Sequence, residues 1–227
     1  MDKERMQTIE VHGVLLHYAV YGSGKPIVLV HGNGEDHTLF EVEIGQLVDA
    51  GYQVFAPDSR GHGANEPVTE CHYADMTEDT WQFIQKMGLE KPAYYGHSDG
   101  GIIGLMLEIE HPGTLGRLAI SGTNLRPEGM KASFLKRCAE ENEKDPDPFL
   151  TMMLEEPDID PRSLEKIDIP VLVTVGEKDL IIPEETERIV SHLPDARLVV
   201  VDGARHGDYI DGSEIMGELL LEFLQRS

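Results

Sequence analysis

The sequence contains little cysteine. Only Cys71 and Cys138 occur among its 227 residues, and neither lies in a CxxC pattern or at the spacing of Cys and His zinc ligands. A disulfide scaffold and a structural zinc site are therefore not expected. Two scattered thiols and nine methionines are typical of a protein in a reducing compartment.

Basic residues are also scarce. Lys and Arg number 19 against 42 Asp and Glu, which gives a formal net charge of −23 at pH 7. A polyanion of this strength repels nucleic acid and anionic membrane surfaces, and it disfavours highly anionic substrates. No apolar run is long enough to span a bilayer, and residues 1–5 are polar, with no signal-peptide core. We therefore predict a cytoplasmic protein with no nucleic-acid or membrane partner.

Short apolar runs alternate with helix-like stretches along most of the chain. The helix-like stretches are 39–50, 77–87, 100–111, 183–193 and 210–225, the second with a capped start at Thr77 and the fourth opened by Pro183. The strand-like runs are 6–11, 14–21, 26–30, 52–56, 93–95, 118–120, 171–175 and 198–201. This alternation predicts one domain with a mostly parallel sheet between two layers of helices.

Residues 123–166 interrupt the alternation. An amphipathic stretch at 131–141, with Met130, Phe134 and Cys138 on one side, is followed by a break rich in Pro and Asp and by the apolar stretch 149–154. A single crossover between parallel strands rarely needs about 40 residues. We therefore interpret 123–166 as a short helical insertion in a core formed by 1–122 and 167–227. The alternative is an ordinary crossover helix with a long loop.

The pentapeptide Gly96-His97-Ser98-Asp99-Gly100 follows a strand-like run and precedes an apolar helix pattern. A G-x-S-x-G pattern between a strand and a helix is typical of a nucleophile elbow, in which a tight turn exposes the serine. Bulky residues at the glycine positions would clash with the neighbouring strand and helix. Ser98 is therefore the predicted nucleophile, and a plain glycine-rich turn is the alternative.

A second glycine-containing loop follows the early apolar run PIVLV. His31-Gly32-Asn33-Gly34 has the H-G-x-G form of a loop that supplies half of an oxyanion hole. The backbone amides of Asn33 and Asp99 are therefore the predicted oxyanion donors. A phosphate-binding loop is disfavoured, because neither a third glycine nor a Walker lysine is present.

A nucleophilic serine needs a base, and the base needs an acid that orients it. His206 lies after the last strand-like run, and Asp179 lies directly after the run 171–175. The nucleophile, acid and base therefore occur along the chain in the order Ser98, Asp179, His206. The other common classes of serine hydrolase have a different order, and this one is typical of a single fold. Glu177 is the rival acid. The other histidines show no metal-ligand spacing, so we predict no metal site.

These motifs resemble those of the α/β-hydrolase superfamily, and the likeness extends over almost the whole chain. The segment Asp58-Ser59-Arg60-Gly61-His62-Gly63 is similar to the family's D-x-R-G-x-G segment. The resemblance implies a three-layer α/β/α fold with a mostly parallel eight-stranded sheet, in which 123–166 takes the place of a short helical lid. It also implies the roles of nucleophile for Ser98, base and then acid for His206, and orienting acid for Asp179.

A narrower likeness is to the valacyclovir-hydrolase-like, or biphenyl hydrolase-like, subgroup. It is carried by Ser98-Asp99-Gly100-Gly101 and Ser121-Gly122-Thr123-Asn124. The likeness implies that the Asp99 carboxylate pairs with the ammonium group of an amino-acid ester. The alternative, which the sequence favours, is that this carboxylate points away or caps the following helix.

The predicted reaction is hydrolysis of a small carboxylic ester through an acyl-enzyme, with amides and thioesters as further substrates. It requires no cofactor. Phe149, Met152 and Met153 of the predicted lid are candidate substrate-binding residues, since methionine makes an adaptable wall. The alternatives are a C–C bond hydrolase or a perhydrolase with the same triad, and a ligand-sensing protein that reuses the fold without catalysis.

Overall fold

One mixed sheet forms the centre of the molecule. A computed structural model describes residues 6–226, so the polar segment 1–5 lies outside the described residues. Within them, the strands are β1 (Gln7–Val11), β2 (Val14–Gly22), β3 (Lys25–Val30), β4 (Tyr52–Pro57), β5 (Ala93–His97), β6 (Arg117–Ser121), β7 (Val171–Gly176) and β8 (Ala196–Val201). Their order is β1-β2-β4-β3-β5-β6-β7-β8. β1 and β2 pair antiparallel, as do β2 and β4, and the remaining pairs are parallel.

Helices cover both faces of this sheet. Within residues 6–226 they are α1 (Glu41–Asp49), α2 (Tyr73–Lys86), α3 (Asp99–Glu110), α4 (Ala132–Lys144), α5 (Pro148–Glu155), α6 (Pro183–His192) and α7 (Ile215–Gln225). None of these helices is both long and apolar enough to cross a bilayer.

The core lies in two layers because the central strands are apolar on both faces. Val28 and Val30 of β3 pack with residues of α2, α3 and α6. Ile27 and Leu29 of the same strand pack on the opposite face with residues of α1 and α7. Successive side chains of a strand point to opposite faces, so a continuous apolar run fills both layers. The predicted sheet between two helical layers is confirmed.

Two helix starts differ from the sequence prediction. α2 begins at Tyr73, four residues before the predicted start at Thr77, because the distant Glu156 carboxylate accepts a hydrogen bond from the Tyr73 amide at 3.1 Å. That carboxylate satisfies an amide at the helix start, the role that the sequence assigned to a local cap. The last helix begins at Ile215 and not at residue 210, because Gly212 has a φ of +63° that interrupts helical geometry.

The segment 123–166 lies between β6 and β7. It contains α4 and α5, which coincide with the two stretches interpreted as helical, and the short 3₁₀ helices Pro127–Gly129 and Pro161–Lys166. The Asp147 carboxylate starts α5 by accepting from the amides of Phe149 and Leu150 at 2.7 and 2.9 Å. The segment therefore places two helices beside the ends of the strands that carry the candidate site.

Candidate active site

Ser98 occupies a strained turn between β5 and α3. Its φ is +51°, in the left-handed region that side chains other than glycine rarely adopt. The turn is held by a 2.7 Å hydrogen bond from the Ser98 amide to the Ser121 carbonyl. A Cβ at Gly100 would collide with the Val30 carbonyl, and one at Gly96 would collide with the backbone of Gly100. The two glycines let strand and helix approach closely enough for this turn to form.

His206 and Asp179 are joined by a hydrogen bond. Nδ1 of His206 lies 2.7 Å from Oδ1 of Asp179, and the amides of Ile181 and Gly176 also donate to this carboxylate. Burial opposes ionisation, but these hydrogen bonds outweigh it and hold the pKa of Asp179 below its usual range. With Nδ1 engaged, Nε2 is the ring nitrogen of His206 that can accept a proton.

Glu177, the rival acid, has a different partner. Its Oε2 accepts from the Gly203 amide at 2.9 Å and so braces the loop that leads to His206. The side chain lies at the exposed surface. Of the two acids considered from the sequence, the structure brings Asp179 to the histidine.

A cavity of about 290 Å³ brings several of the predicted residues together. Ser98 and His206 both line it, and no hydrogen bond joins their side chains within residues 6–226, as is common for such pairs before a substrate binds. The other predicted residues on its wall are Asn33, Asp99 and Met153. Asp179 lies behind His206.

The loop at Asn33 is fixed by a histidine whose proton can be located. Nε2 of His31 lies 2.9 Å from the Ser59 amide, which can only donate, so Nε2 is the acceptor and Nδ1 carries the proton. Nδ1 then donates to the Gly32 carbonyl at 2.8 Å. Burial lowers the pKa of His31 to about 4, so the ring stays neutral. Because a peptide group is planar, holding this carbonyl turns the Asn33 amide to the opposite side.

Asp99 is buried beside the nucleophile. Its Oδ1 accepts a hydrogen bond of 2.7 Å from the Tyr73 hydroxyl, whereas Oδ2 is buried and has no partner among the described residues. Burial raises the pKa of Asp99 to about 6. The carboxylate therefore bonds Tyr73 and does not cap α3. Tyr73 carried no signal in the sequence, because it lies 26 positions away in chain order.

The three candidate substrate-binding residues of α5 have separate environments. Met153 lines the cavity. Met152 is buried in the core, and the Phe149 ring packs on His62 with ring centroids 4.1 Å apart. A helix turns about 100° per residue, so neighbours such as Met152 and Met153 face different surroundings. The cavity wall also contains residues that the sequence did not assign to substrate: Met130, Phe134, Arg137, Cys138, Leu150 and Leu180.

His97 packs against the candidate base. Its ring centroid lies 4.8 Å from that of His206, and the side chain is buried. Burial lowers the pKa of His97 well below its usual value, so the ring is neutral. A neutral neighbour does not compete with His206 for positive charge.

Asp58 and Arg60 are interpreted from the sequence as structural. Arg60 donates two hydrogen bonds of 2.7 Å to the Asp79 carboxylate of α2, and Asp58 is engaged in loop contacts. Oδ1 of Asp58 lies 2.7 Å from Nδ1 of His37, and its Oδ2 accepts from the Ala64 amide at 3.0 Å. The side chains of Asp36, His37 and Asp58 offer ligand atoms within 4.8 Å of one another, which is close enough for a metal ion. The Asp58 oxygens already serve these hydrogen bonds, which favours the structural interpretation.

Comparison with known proteins defines the family. Residues 25–150, more than half of the chain, match the family model of the α/β-hydrolase fold. The human serine hydrolase BPHL is 24% identical over 250 residues, which cover 96% of this chain and 85% of that protein. The chain belongs to the α/β-hydrolase family, and the narrower likeness to the biphenyl hydrolase-like subgroup has a counterpart among its relatives.

Solved structures agree on the fold. An esterase from Exiguobacterium antarcticum matches with a TM-score of 0.86 at 22% identity, over 98% of this chain and all of that one (100%). A thermophilic esterase from Thermogutta terrifontis matches with a TM-score of 0.82 at 23% identity, over 97% of this chain and 98% of the other. The predicted α/β-hydrolase fold, with its mostly parallel eight-stranded sheet, is confirmed.

Proposed function

We propose that this protein is a serine hydrolase that cleaves small carboxylic esters through an acyl-enzyme. The observation that carries the proposal is the 2.7 Å bond between His206 and Asp179 beside a cavity that also contains Ser98 in a strained turn. A strained serine that faces a cavity, a histidine and a buried acid are the parts that acyl transfer needs.

In the proposed reaction, Nε2 of His206 takes the Ser98 proton as Oγ attacks the ester carbonyl. Asp179 stabilises the resulting imidazolium, since its low pKa keeps it ionised. His206 then donates the proton to the leaving alkoxide, and the acyl group stays on Oγ. Water, deprotonated by His206, attacks the acyl-enzyme and releases the acid with restoration of Ser98. No cofactor takes part in these steps.

The amides of Asn33 and Asp99 receive the negative charge of the tetrahedral intermediate in this proposal. Support comes from His31, which holds the peptide of Asn33, and from the position of Asp99 at the first turn of α3, where the helix dipole favours an anion. One such donor typically contributes about 3 kcal/mol to catalysis.

The cavity favours a small substrate with an apolar part. Its volume of about 290 Å³ is at the lower end for ligand sites, and Phe134, Leu150 and Met153 contribute apolar wall. All three of these wall residues belong to 123–166, which supports a lid role for that segment.

Cys71 and Cys138 are both free and buried thiols, which fits a cytoplasmic location.

Esters of amino acids are a second candidate, favoured by one observation. The Oδ2 atom of Asp99 is buried and has no hydrogen-bond partner within residues 6–226, and Asp99 lines the cavity. A substrate ammonium group would supply the missing donor and offset the burial of the carboxylate.

The test is the hydrolysis of p-nitrophenyl esters of increasing acyl length by the wild type and by Ser98→Ala, with fluorophosphonate labelling of Ser98. We expect turnover and labelling in the wild type and a loss on the order of a millionfold in the variant. Full activity in Ser98→Ala would refute the serine mechanism. Labelling without ester turnover would favour the C–C hydrolase or perhydrolase alternative. The absence of both labelling and turnover would favour a sensing protein.

A further inference from the structure

Glu35 is an acidic residue on the cavity wall that the proposed reaction does not use. It follows the Gly32-Asn33-Gly34 loop by one position, and 31% of its side chain is exposed. Its Oε2 accepts a hydrogen bond of 2.8 Å from the Gly32 amide, and its own amide donates to the Gly32 carbonyl at 3.3 Å. Glu35 thus contacts both ends of the residue that precedes Asn33.

The packing around Gly32 shows how tightly this carboxylate is placed. A Cβ at residue 32 would lie 2.9 Å from Oε2 of Glu35, 3.0 Å from Cβ of Ser98 and 3.3 Å from Cδ2 of His97. The space beside Gly32 is therefore shared by the carboxylate and the nucleophile turn. A movement of the Gly32 peptide would change the distance between the two glycine-containing loops.

We propose that Glu35 is a positioning residue for ester hydrolysis, holding the Gly32 amide so that the Asn33 amide stays in place to receive the oxyanion. This inference rests on the proposed function. His31 holds the carbonyl of Gly32 and Glu35 holds its amide, so the peptide groups on both sides of this residue have a fixed orientation. A buried amide that loses its acceptor costs free energy and gains freedom to rotate.

The role assigned to Glu35 is that of a hydrogen-bond acceptor and not of a charge. Negative charge develops on the substrate oxygen nearby, and an ionised carboxylate at this place disfavours it. The same charge favours the His206 imidazolium, and Glu35 interacts electrostatically with His206. These two effects of the charge oppose each other. We therefore expect catalysis to depend on whether the side chain is long enough to accept a hydrogen bond from the Gly32 amide.

Four variants separate reach from charge. Glu35→Gln keeps the length and an acceptor oxygen but loses the charge, whereas Glu35→Asp keeps the charge and shortens the reach. Glu35→Ala loses both. Asp36→Ala is the matched control, because the Asp36 carboxylate accepts from the Thr38 amide at 2.8 Å, at the start of the 3₁₀ helix His37–Phe40, and not from the Gly32 amide.

The measurements are kcat and KM for p-nitrophenyl butyrate and the affinity for phenylboronic acid, which adds to Ser98 as a tetrahedral anion. We expect Glu35→Asp and Glu35→Ala to lose about tenfold to a hundredfold in kcat and a similar factor in boronate affinity, with KM within about twofold. Glu35→Gln should stay within about threefold of the wild type, and Asp36→Ala should keep its kcat.

Several outcomes would overturn the inference. It would be overturned if Glu35→Gln were as impaired as Glu35→Asp, if the kcat of Glu35→Asp were unchanged, or if Asp36→Ala lost as much kcat. The comparison of Glu35→Gln with Glu35→Asp remains decisive if Glu35→Ala does not fold. A wild type that neither hydrolyses esters nor binds the boronate would instead refute the proposed function itself.

Discussion

Gly122, the residue that follows β6, lies directly against the ring of His206. Its φ is +57°, and a Cβ there would be 2.6 Å from Cε1 of His206. The position of the proposed base therefore depends on a glycine that lies 84 positions earlier in the chain.

Gly122→Ala should lower kcat by far more than the variant's loss of stability explains. The added methyl group displaces the His206 ring, and a displacement of about 1 Å can cost a hundredfold in rate. Gly113→Ala is the control, because Gly113 also has a positive φ, +80°, with open space at its Cβ. The left-handed backbone should cost each variant about 1–2 kcal/mol of unfolding free energy, and the contact with His206 should add to the loss in Gly122→Ala. Equal kcat in the two variants, measured on one ester, would contradict a steric role for Gly122.

Asp179→Asn should lower kcat on the order of 10⁴-fold while the protein stays folded. The amide no longer stabilises the His206 imidazolium and can hold the ring in the wrong tautomer. Glu177→Gln provides the comparison, since Glu177 bonds the Gly203 amide and not the histidine. Ester turnover and the thermal midpoint are measured for both. If Glu177→Gln were the more damaging change, the acid of the proposed triad would be Glu177.

Tyr73→Phe tests the second candidate substrate. Removing the hydroxyl removes a hydrogen bond that lowers the pKa of Asp99, so that pKa should rise above its value of about 6. Near pH 6.5 more Asp99 is then protonated and less able to hold an ammonium group. We expect kcat/KM for alanine benzyl ester to fall about tenfold, with benzyl propionate unaffected. An equal fall for both esters would mean that Asp99 does not contact an ammonium group.

We predict that Glu43 makes the stability of the fold depend on pH. The side chain is fully buried, both carboxylate oxygens lack a partner among the described residues, and burial raises the pKa to about 8. The folded state therefore favours the protonated form. Its contribution to stability is complete below the unfolded value of about 4.5 and is lost as the pH rises towards 8.

Glu43→Gln should remove this dependence. The thermal midpoint of the variant should exceed that of the wild type by an amount that grows between pH 5 and pH 8, because the wild type alone must bury a charge at the higher pH. Glu41→Gln, at an exposed position of the same helix, should show no such trend. Thermal unfolding at both pH values checks this, and a constant difference between Glu43→Gln and the wild type would contradict it.

The predictable parts of the site are those that follow strands. Ser98, Asp179 and His206 each come after a short apolar run, and parallel strands bring such positions to one edge of a sheet. The structure places Ser98 and His206 at one cavity, with Asp179 bonded to the histidine. Their catalytic roles stay predictions.

Other parts had no local signal. In the sequence, Glu35 is an ordinary loop acid and Tyr73 lies four positions before the predicted start of a helix; only folding brings one to Gly32 and the other to Asp99. The early start of α2 had the same origin, since Glu156 comes from a segment 83 positions away. Contacts of this kind depend on tertiary packing, which intrinsic propensities do not encode.

The sequence by itself determined the alternation of strands and helices, the glycines that allow the Ser98 turn, and the strong negative charge. These follow from periodicity, backbone sterics and composition, which are local or additive properties. Only the tertiary structure decided that Met153 faces the cavity while Met152 enters the core, and that Asp99 bonds Tyr73. The physical reason is that these outcomes depend on the relative placement of whole elements, where a rotation of one helix by a single residue changes which side chain meets the cavity.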